Sequence, residues 1–429
     1  MKQKVILLGL NELNFDYIEA YVNKGHLPNF KNLYEQNGFC QTTSENTYEL
    51  LEPWIQWVSL HTGKTYAEHQ VFRLGDIVDR KDLVQLWEIA ESKGLKVGAI
   101  SPFNARNNLK NGSFFVPDPW TQTTTSGDEI LQKMSAAVSS AVNNNANSKV
   151  DKGAALSLLR GFMKYVPISR WFHYGDMATK LKKKFTKSAI LDNILGDTFL
   201  TLWKKNQPDF SSLFLNAGAH IQHHYMFNST VYKGTQKNPA WYIPENEDPL
   251  LDMLKEYDNI LGRLMNLGCR LFVATGLHQK PHLHTTFYWR LKNHEAFLKL
   301  VGVHSFKSVV PRMSRDFLVE CNSTEEAISV QSVLESISAG DGMKVFTIDN
   351  RGTSLFIELT YDSDVKKGTM ISINKNASPV DLNNYVSFVA IKNGEHDGIG
   401  YLVDTNKKYT QIDTIPVTEV FHAILKSFD

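Results

Sequence analysis

The sequence predicts an α/β fold, a mostly parallel sheet sandwiched by helices, with a helical insertion and a small α+β cap. Three observations carry this reading. The apolar run Val5-Ile-Leu-Leu-Gly9-Leu10 is continuous, which suits a strand buried on both faces of a parallel sheet. Segments of helical spacing alternate with such runs, as where Leu83, Leu86, Trp87 and Ala90 precede Val97–Ile100. A hydrophobic content of 42% over 429 residues is enough to fill a large core.

The elements follow in order. After the first strand and a helix, Leu27-Pro28-Asn29-Phe30 opens a second helix that Gly38 breaks, and the Thr/Ser-rich residues Thr42 to Thr47 read as a loop over the sheet. A helix starts near Pro53, where the missing N–H costs nothing, and ends at Gly63. That places Glu52 at its N-terminus, where an acidic residue complements the helix dipole or stands ready for chemistry. Between Thr121 and Lys187 the texture changes to a helical insertion with an Asn-Asn-Asn-Ala-Asn connection and a basic end, Lys180 to Lys187, which reads as a solvated face or a weak phosphate-attracting rim. A helix from Ile190 to Lys205 leads into the strand Leu213-Phe-Leu215, and a helix over Leu250 to Leu267 into the strand Arg270–Ala274. Expected boundaries are 1–120, 188–308 and 360–429 for the core, 121–187 for the insertion, and 309–359 for the cap, with its helix at Thr324 to Ile337.

Bulk properties exclude several classes. Lys+Arg and Asp+Glu nearly cancel to a formal net charge of +1, so no global electrostatic case exists for nucleic acid or an anionic membrane, and anion recognition must be local. No stretch approaches the ~20 apolar residues of a membrane span, and the first apolar run is too short for a signal peptide. Cys40, Cys269 and Cys321 are too scattered for a disulfide framework or a thiolate zinc site and suit a reducing compartment, so a cytoplasmic protein is expected.

Chemistry is expected to gather at Asn216-Ala-Gly-Ala-His220-Ile-Gln-His223-His224-Tyr225, three imidazoles in five residues after a buried strand. If this segment is helical, His220 and His224 lie at i and i+4 and can meet one ion, while His223 points elsewhere. The same pattern also occurs in polar loops whose histidines only cap and hydrogen-bond. Ligands at the carboxyl ends of parallel strands converge on one crevice, which brings in His278 after the next strand, with His282 and His284 in the same loop as second choices. His396 stands in a glycine-rich loop, Gly394 to Gly400, before the last apolar strand. Trp54, Trp57, Tyr225 and Trp289 are candidates to line a pocket for a sugar or base, although such aromatics belong to the core about twice as often, and His223 is a further candidate for substrate binding.

The order of these pieces resembles the alkaline phosphatase superfamily, in its type I phosphodiesterase/nucleotide pyrophosphatase branch. Val5 to Glu12 is similar to that family's first strand and metal-binding Asp, and Gly25-His-Leu-Pro28-Asn-Phe-Lys-Asn-Leu33 to its next helix. Trp57-Val-Ser-Leu-His-Thr62-Gly63, with Glu68-His69, resembles the segment beyond the nucleophile. His220 to His224 resembles Asp-x-x-x-His, Thr275 to His278 resembles Ser-Asp-His-Gly, and Glu395-His396 with Gly400 resembles the last metal histidine. The departures are specific. Asn11, with Glu12 beside it, stands for the first Asp, Glu52 or Pro53 for the nucleophilic hydroxyl, His220 for one metal Asp, and Gly276 or Leu277 for another.

The resemblance therefore implies one strong site for a divalent metal, zinc by preference, held by His220, His224 and His396, with His278 in a second site short of carboxylates. A metal there lowers the pKa of bound water toward ~7, and Glu52 or Glu12, beside Asn11, serves as base or extra ligand. The expected activity is hydrolysis of a small-molecule or glycan-linked phosphate mono- or diester, or a related ester, by water. The alternatives are a metal-dependent lyase or transferase using Glu52 as base, and a non-catalytic binding protein.

Overall fold

The computed structural model describes residues 3–143, 152–312, 315–373, 378–410 and 413–429. The chain divides into two compact units, one of residues 1–235, 239–281 and 394–429, the other of residues 236–238 and 282–393. The first is built on an eight-stranded sheet whose order is Thr414–Pro416, Cys40–Thr43, Ile399–Asp404, Arg270–Ala274, Val5–Leu10, Phe210–Leu215, Val97–Ile100 and Phe114–Val116. Every strand but Ile399–Asp404 runs the same way. Two of these strands correct the sequence reading. Cys40–Thr43 takes the first residues of the expected Thr42–Thr47 loop, because its side chains alternate buried and half-buried on the sheet. Phe114–Val116 is a strand too short to be separated from a loop by pattern.

The apolar run of the first strand is buried throughout, as a central strand covered on both faces must be. Val5 and Leu7 pack in one core with Trp57, Leu60, Trp87, Phe214 and Phe421, and Ile6 and Leu8, alternating to the other face, are equally buried. Gly9 has a steric reason: a Cβ there would lie 2.8 Å from the rings of both Phe214 and Trp57. On the flank of the sheet the helices Thr186–Asn206, Ala217–Tyr225 and Pro249–Met265 pack against one another. The expected insertion is helical, over Glu129–Asn143, Lys152–Tyr165 and Trp171–Thr179. Its Asn-rich connection, beyond Asn143, lies outside the described residues.

The second unit carries a four-stranded antiparallel sheet in the order Phe346–Asn350, Ser354–Leu359, Asp316–Glu320 and Ser308–Pro311. The helix Thr324–Glu335 packs on it. The expected 309–359 segment lies within this unit, which extends on both sides of it. His278–Leu291 is a strand of 14 residues paired with Val386–Asp397. The loops expected around His282, His284 and His396 are therefore strand, with His284 exposed and His282 half-buried on it. Among the described residues no helix is long and apolar enough to cross a membrane.

One buried group ties stability to pH. His61, 3% exposed, lies with its ring centroid 4.7 Å from that of Trp87, and burial pushes its imidazole down to about 3. The unfolded chain binds a proton at His61 below about pH 6.5 while the folded chain stays neutral there until about pH 3. Stability is thus complete above pH 6.5 and falls as pH drops, by up to about 1.4 kcal/mol per pH unit from this residue. His61→Phe should flatten that part of the decline, so that denaturation at pH 7, 6 and 5 shows a smaller loss than in the wild type. An unchanged slope would contradict the assignment.

Candidate functional site

The register of the sheet decides what meets at its carboxyl edge. Leu10 pairs with Leu215, and Gly9 with Ala274, so the next residues of three strands, Asn11 and Glu12, Asn216, and Thr275, emerge side by side. Ile399–Asp404 runs antiparallel beside Arg270–Ala274, so its start lies at that same edge, and the chain preceding it delivers His396 there.

Glu12 is the centre. It is 3% exposed and holds φ +57°, a left-handed backbone uncommon for a residue with a Cβ. The turn is pinned: the Glu12 N–H donates to the Thr275 carbonyl at 3.1 Å, and the Glu12 carbonyl accepts from Gln222 Nε2 at 2.7 Å and the Gln279 N–H at 3.1 Å. Its carboxylate lies 3.0 Å from His223 Nε2 and 3.1 Å from His396 Nε2, and accepts from Asn11 Nδ2 at 2.8 Å and Gln279 Nε2 at 2.5 Å. Burial works to raise its pKa, but the His396 and His223 imidazoles overcome this and hold the carboxyl well below the usual range.

The segment Ala217–Tyr225 is helical, the first of the two readings left open above, and its phase decides which histidine reaches Glu12. Ala219, Gln222 and His223 stand at i, i+3 and i+4. The Ala219 carbonyl accepts from Gln279 and Gln222 grips the Glu12 turn, so His223 is carried to Glu12 on that stripe. His220 and His224 form the neighbouring stripe and pack on each other, ring centroids 4.8 Å apart. Among the described residues, the group whose ligand atoms lie within 4.8 Å of one another is Glu12, His223 and His396. The expected trio of His220, His224 and His396 is not that group, and His223, expected to point elsewhere, is a member. The helix start is held from outside: Asp192 accepts from the Ala217 N–H at 2.8 Å and from the Tyr257 hydroxyl at 2.6 Å, and Tyr257 accepts from the Gly218 N–H. Burial raises Asp192 to about 6.

The other candidates fall around this group. Glu52 is the residue before helix Pro53–Thr62, and its carboxylate lies 3.6 Å from His396 Nδ1 with a third of the side chain exposed. Asn11 bridges Glu12 and Asn216. His278 is buried, its Nδ1 2.5 Å from the Ile399 carbonyl; burial lowers its pKa, against that carbonyl and Asp397. Trp57 is 1% exposed and donates to Asn11 Oδ1 at 2.7 Å, so it props the site from within the core instead of facing a substrate. Tyr225 is buried and stacked on Tyr242 at 5.2 Å, and Trp54 donates to the Phe72 carbonyl. The Thr62 hydroxyl donates back to the Val58 carbonyl of its own helix, and Ser59 Oγ lies 3.4 Å from the Ile55 carbonyl and 3.1 Å from Nε2 of the buried His69. Sequence reasoning missed Gln222, Gln279, Asp192 and Tyr257, since amides and a distant Asp–Tyr pair carry no metal-type spacing. The one legible signal was the small and apolar run at 217–219 and 221, which marks the buried side of the helix.

Two imidazole nitrogens and one carboxylate oxygen, from three separate stretches of chain, form a set that could hold a divalent metal. His223 Nδ1 lies 3.4 Å from the Gly394 carbonyl, which orients the ring with Nε2 toward Glu12, the atom that would face a bound metal. Gln279→Leu should remove one donor from Glu12 and weaken metal binding by about 10- to 100-fold, read by metal titration of the purified variant. Affinity equal to the wild type would mean that Gln279 does not tune the site.

A family model for type I phosphodiesterase / nucleotide pyrophosphatase matches residues 5–268. Among solved structures, the phosphonoacetate hydrolase of Sinorhizobium meliloti 1021, in complex with phosphonoacetate, is 11% identical, with 100% of this chain and 96% of that chain covered and a TM-score of 0.47. Murine ectonucleotide pyrophosphatase / phosphodiesterase 5 is 9% identical over 99% and 95%, with a TM-score of 0.41. The alkaline phosphatase of the Antarctic bacterium TAB5 is 11% identical over 100% and 98%, with a TM-score of 0.41. No curated protein matches the chain.

Proposed function

Because the chain belongs to the type I phosphodiesterase / nucleotide pyrophosphatase family, we propose that it hydrolyses a phosphate mono- or diester with one divalent metal ion held by Glu12, His223 and His396. The observation that carries this reading is the convergence of those three donors, from residues 12, 223 and 396, to within 4.8 Å. Zinc suits a set of two imidazoles and one carboxylate. Such an ion supplies Lewis-acid polarisation of the phosphoryl oxygen and acidifies water.

The chain's own groups do the rest. Glu12 keeps its negative charge, so it offers the ion an anionic oxygen without first losing a proton. His223 and His396 are partly exposed where Glu12 is sealed, which puts the open side of the group toward substrate. Glu52, beside His396 and a third exposed, is placed to take the proton from an attacking water. No hydroxyl stands at Glu52 or Pro53, which favours water over a covalent intermediate. The substrate is a small-molecule or glycan-linked phosphate ester. Free thiols at Cys40, Cys269 and Cys321 support placement in a reducing, cytoplasmic compartment.

The test is metal content together with activity on aryl phosphomonoesters and phosphodiesters. The wild type should carry about one equivalent of metal and hydrolyse one of the two ester classes. Glu12→Gln, His223→Ala and His396→Ala should lose both properties, His220→Ala should keep its metal, and Glu52→Gln should keep the metal but lose about 100-fold or more in kcat. Full metal in all three ligand variants would remove the proposal. A metal-loaded wild type inert on both ester classes would favour the lyase or transferase reading.

A further inference from the structure

The helices Lys152–Tyr165 and Trp171–Thr179, with the turn between them, present large apolar side chains to solvent. Leu156, Leu159 and Met163 are 47%, 54% and 53% exposed, and stand at i, i+3 and i+7 on one stripe of the first helix. At the turn, Ile168 is 80% and Phe172 88% exposed, and Trp171 lies beside them with its ring 5.9 Å from Phe162 of the first helix. Single exposed apolar residues occur elsewhere, such as Leu283 and Ile328, but a row of this kind on two successive helices marks an interaction site. The stretch is basic by count, and four of its cations lie in ion pairs, Lys164 with Asp128, Arg170 with Asp197, Lys180 with Asp176 and Lys183 with Asp252. Residues 152 to 187 hold nine Lys and Arg against one Asp, although the whole chain is +1. Lys152 and Arg160 are exposed at i−4 and i+4 from Leu156, and Lys182 and Lys187 are exposed in and after the connection that follows the second helix.

We propose that this helical segment docks on an anionic lipid surface, with Ile168, Trp171 and Phe172 entering the interface and the lysines and arginines meeting the headgroups. Apolar side chains at a protruding turn, flanked by basic residues, gain from both the acyl boundary and the negative surface potential. A second copy of the chain would cover the apolar row only by setting two segments of net positive charge, each with Lys152, Arg160, Lys182 and Lys187 exposed, against each other. Nucleic acid would use the positive charge but has no place for Leu156, Leu159, Met163 and Ile168, since its recognition rests on phosphate contacts and base stacking.

The experiment is sedimentation of the full chain with vesicles of phosphatidylcholine alone or mixed with phosphatidylglycerol. Binding to the mixed vesicles should be at least about tenfold tighter and should weaken as salt is raised. Ile168→Ser with Phe172→Ser, and separately Lys182→Glu with Lys187→Glu, should each weaken it by at least about tenfold, with wild-type melting temperatures because all four side chains are exposed. Absence of binding to mixed vesicles, equal binding to neutral ones, or variants that bind like the wild type would overturn the proposal. So would a dimer in sedimentation equilibrium that Ile168→Ser with Phe172→Ser abolishes, since that assigns the face to a second copy.

Discussion

A carboxylate withdrawn from water at the end of the central strand is the constraint on which the site depends. Glu12 is almost fully buried, and an isolated charge in such a place would be prohibitively costly. It stays ionised because two imidazoles and two side-chain amides converge on it. Three of these four partners, His223, Gln279 and His396, come from distant parts of the chain, so most of the support for the charge forms only when the sheet is assembled. Its left-handed backbone is similarly held, by contacts from residues 222, 275 and 279.

The supports extend outward in layers. Trp57 fixes Asn11 from the core, and Gly9 leaves room for the Trp57 ring against the strand. Asp192 and Tyr257 hold the start of the helix that bears His223. The antiparallel strand Ile399–Asp404 matters for direction: a parallel strand in its place would put the residues preceding it at the far edge of the sheet, away from Glu12. Local helix phase and sheet direction together decide which histidines reach Glu12.

Much of the architecture was legible in the sequence. The apolar run at Val5 and the proline and glycine that bracket helix Pro53–Thr62 follow from burial and capping. The assignment among His220, His223 and His224 was not. Spacing says that residues 220 and 224 share a stripe, but which stripe faces the sheet depends on what Ala219 and Gln222 touch, and those partners lie in other strands. Strands such as Cys40–Thr43 and His278–Leu291 were hidden because their polar residues carry no periodicity of a buried element. Trp57 shows the reverse case, an aromatic near the site whose side chain belongs to the core.

Anomalous scattering from crystals of the metal-loaded protein, collected across the zinc edge, tests the central claim most directly. The predicted result is one strong peak bounded by Glu12, His223 and His396. A peak between His220 and His224, with Glu12 bound only to its amide and imidazole partners, would contradict it.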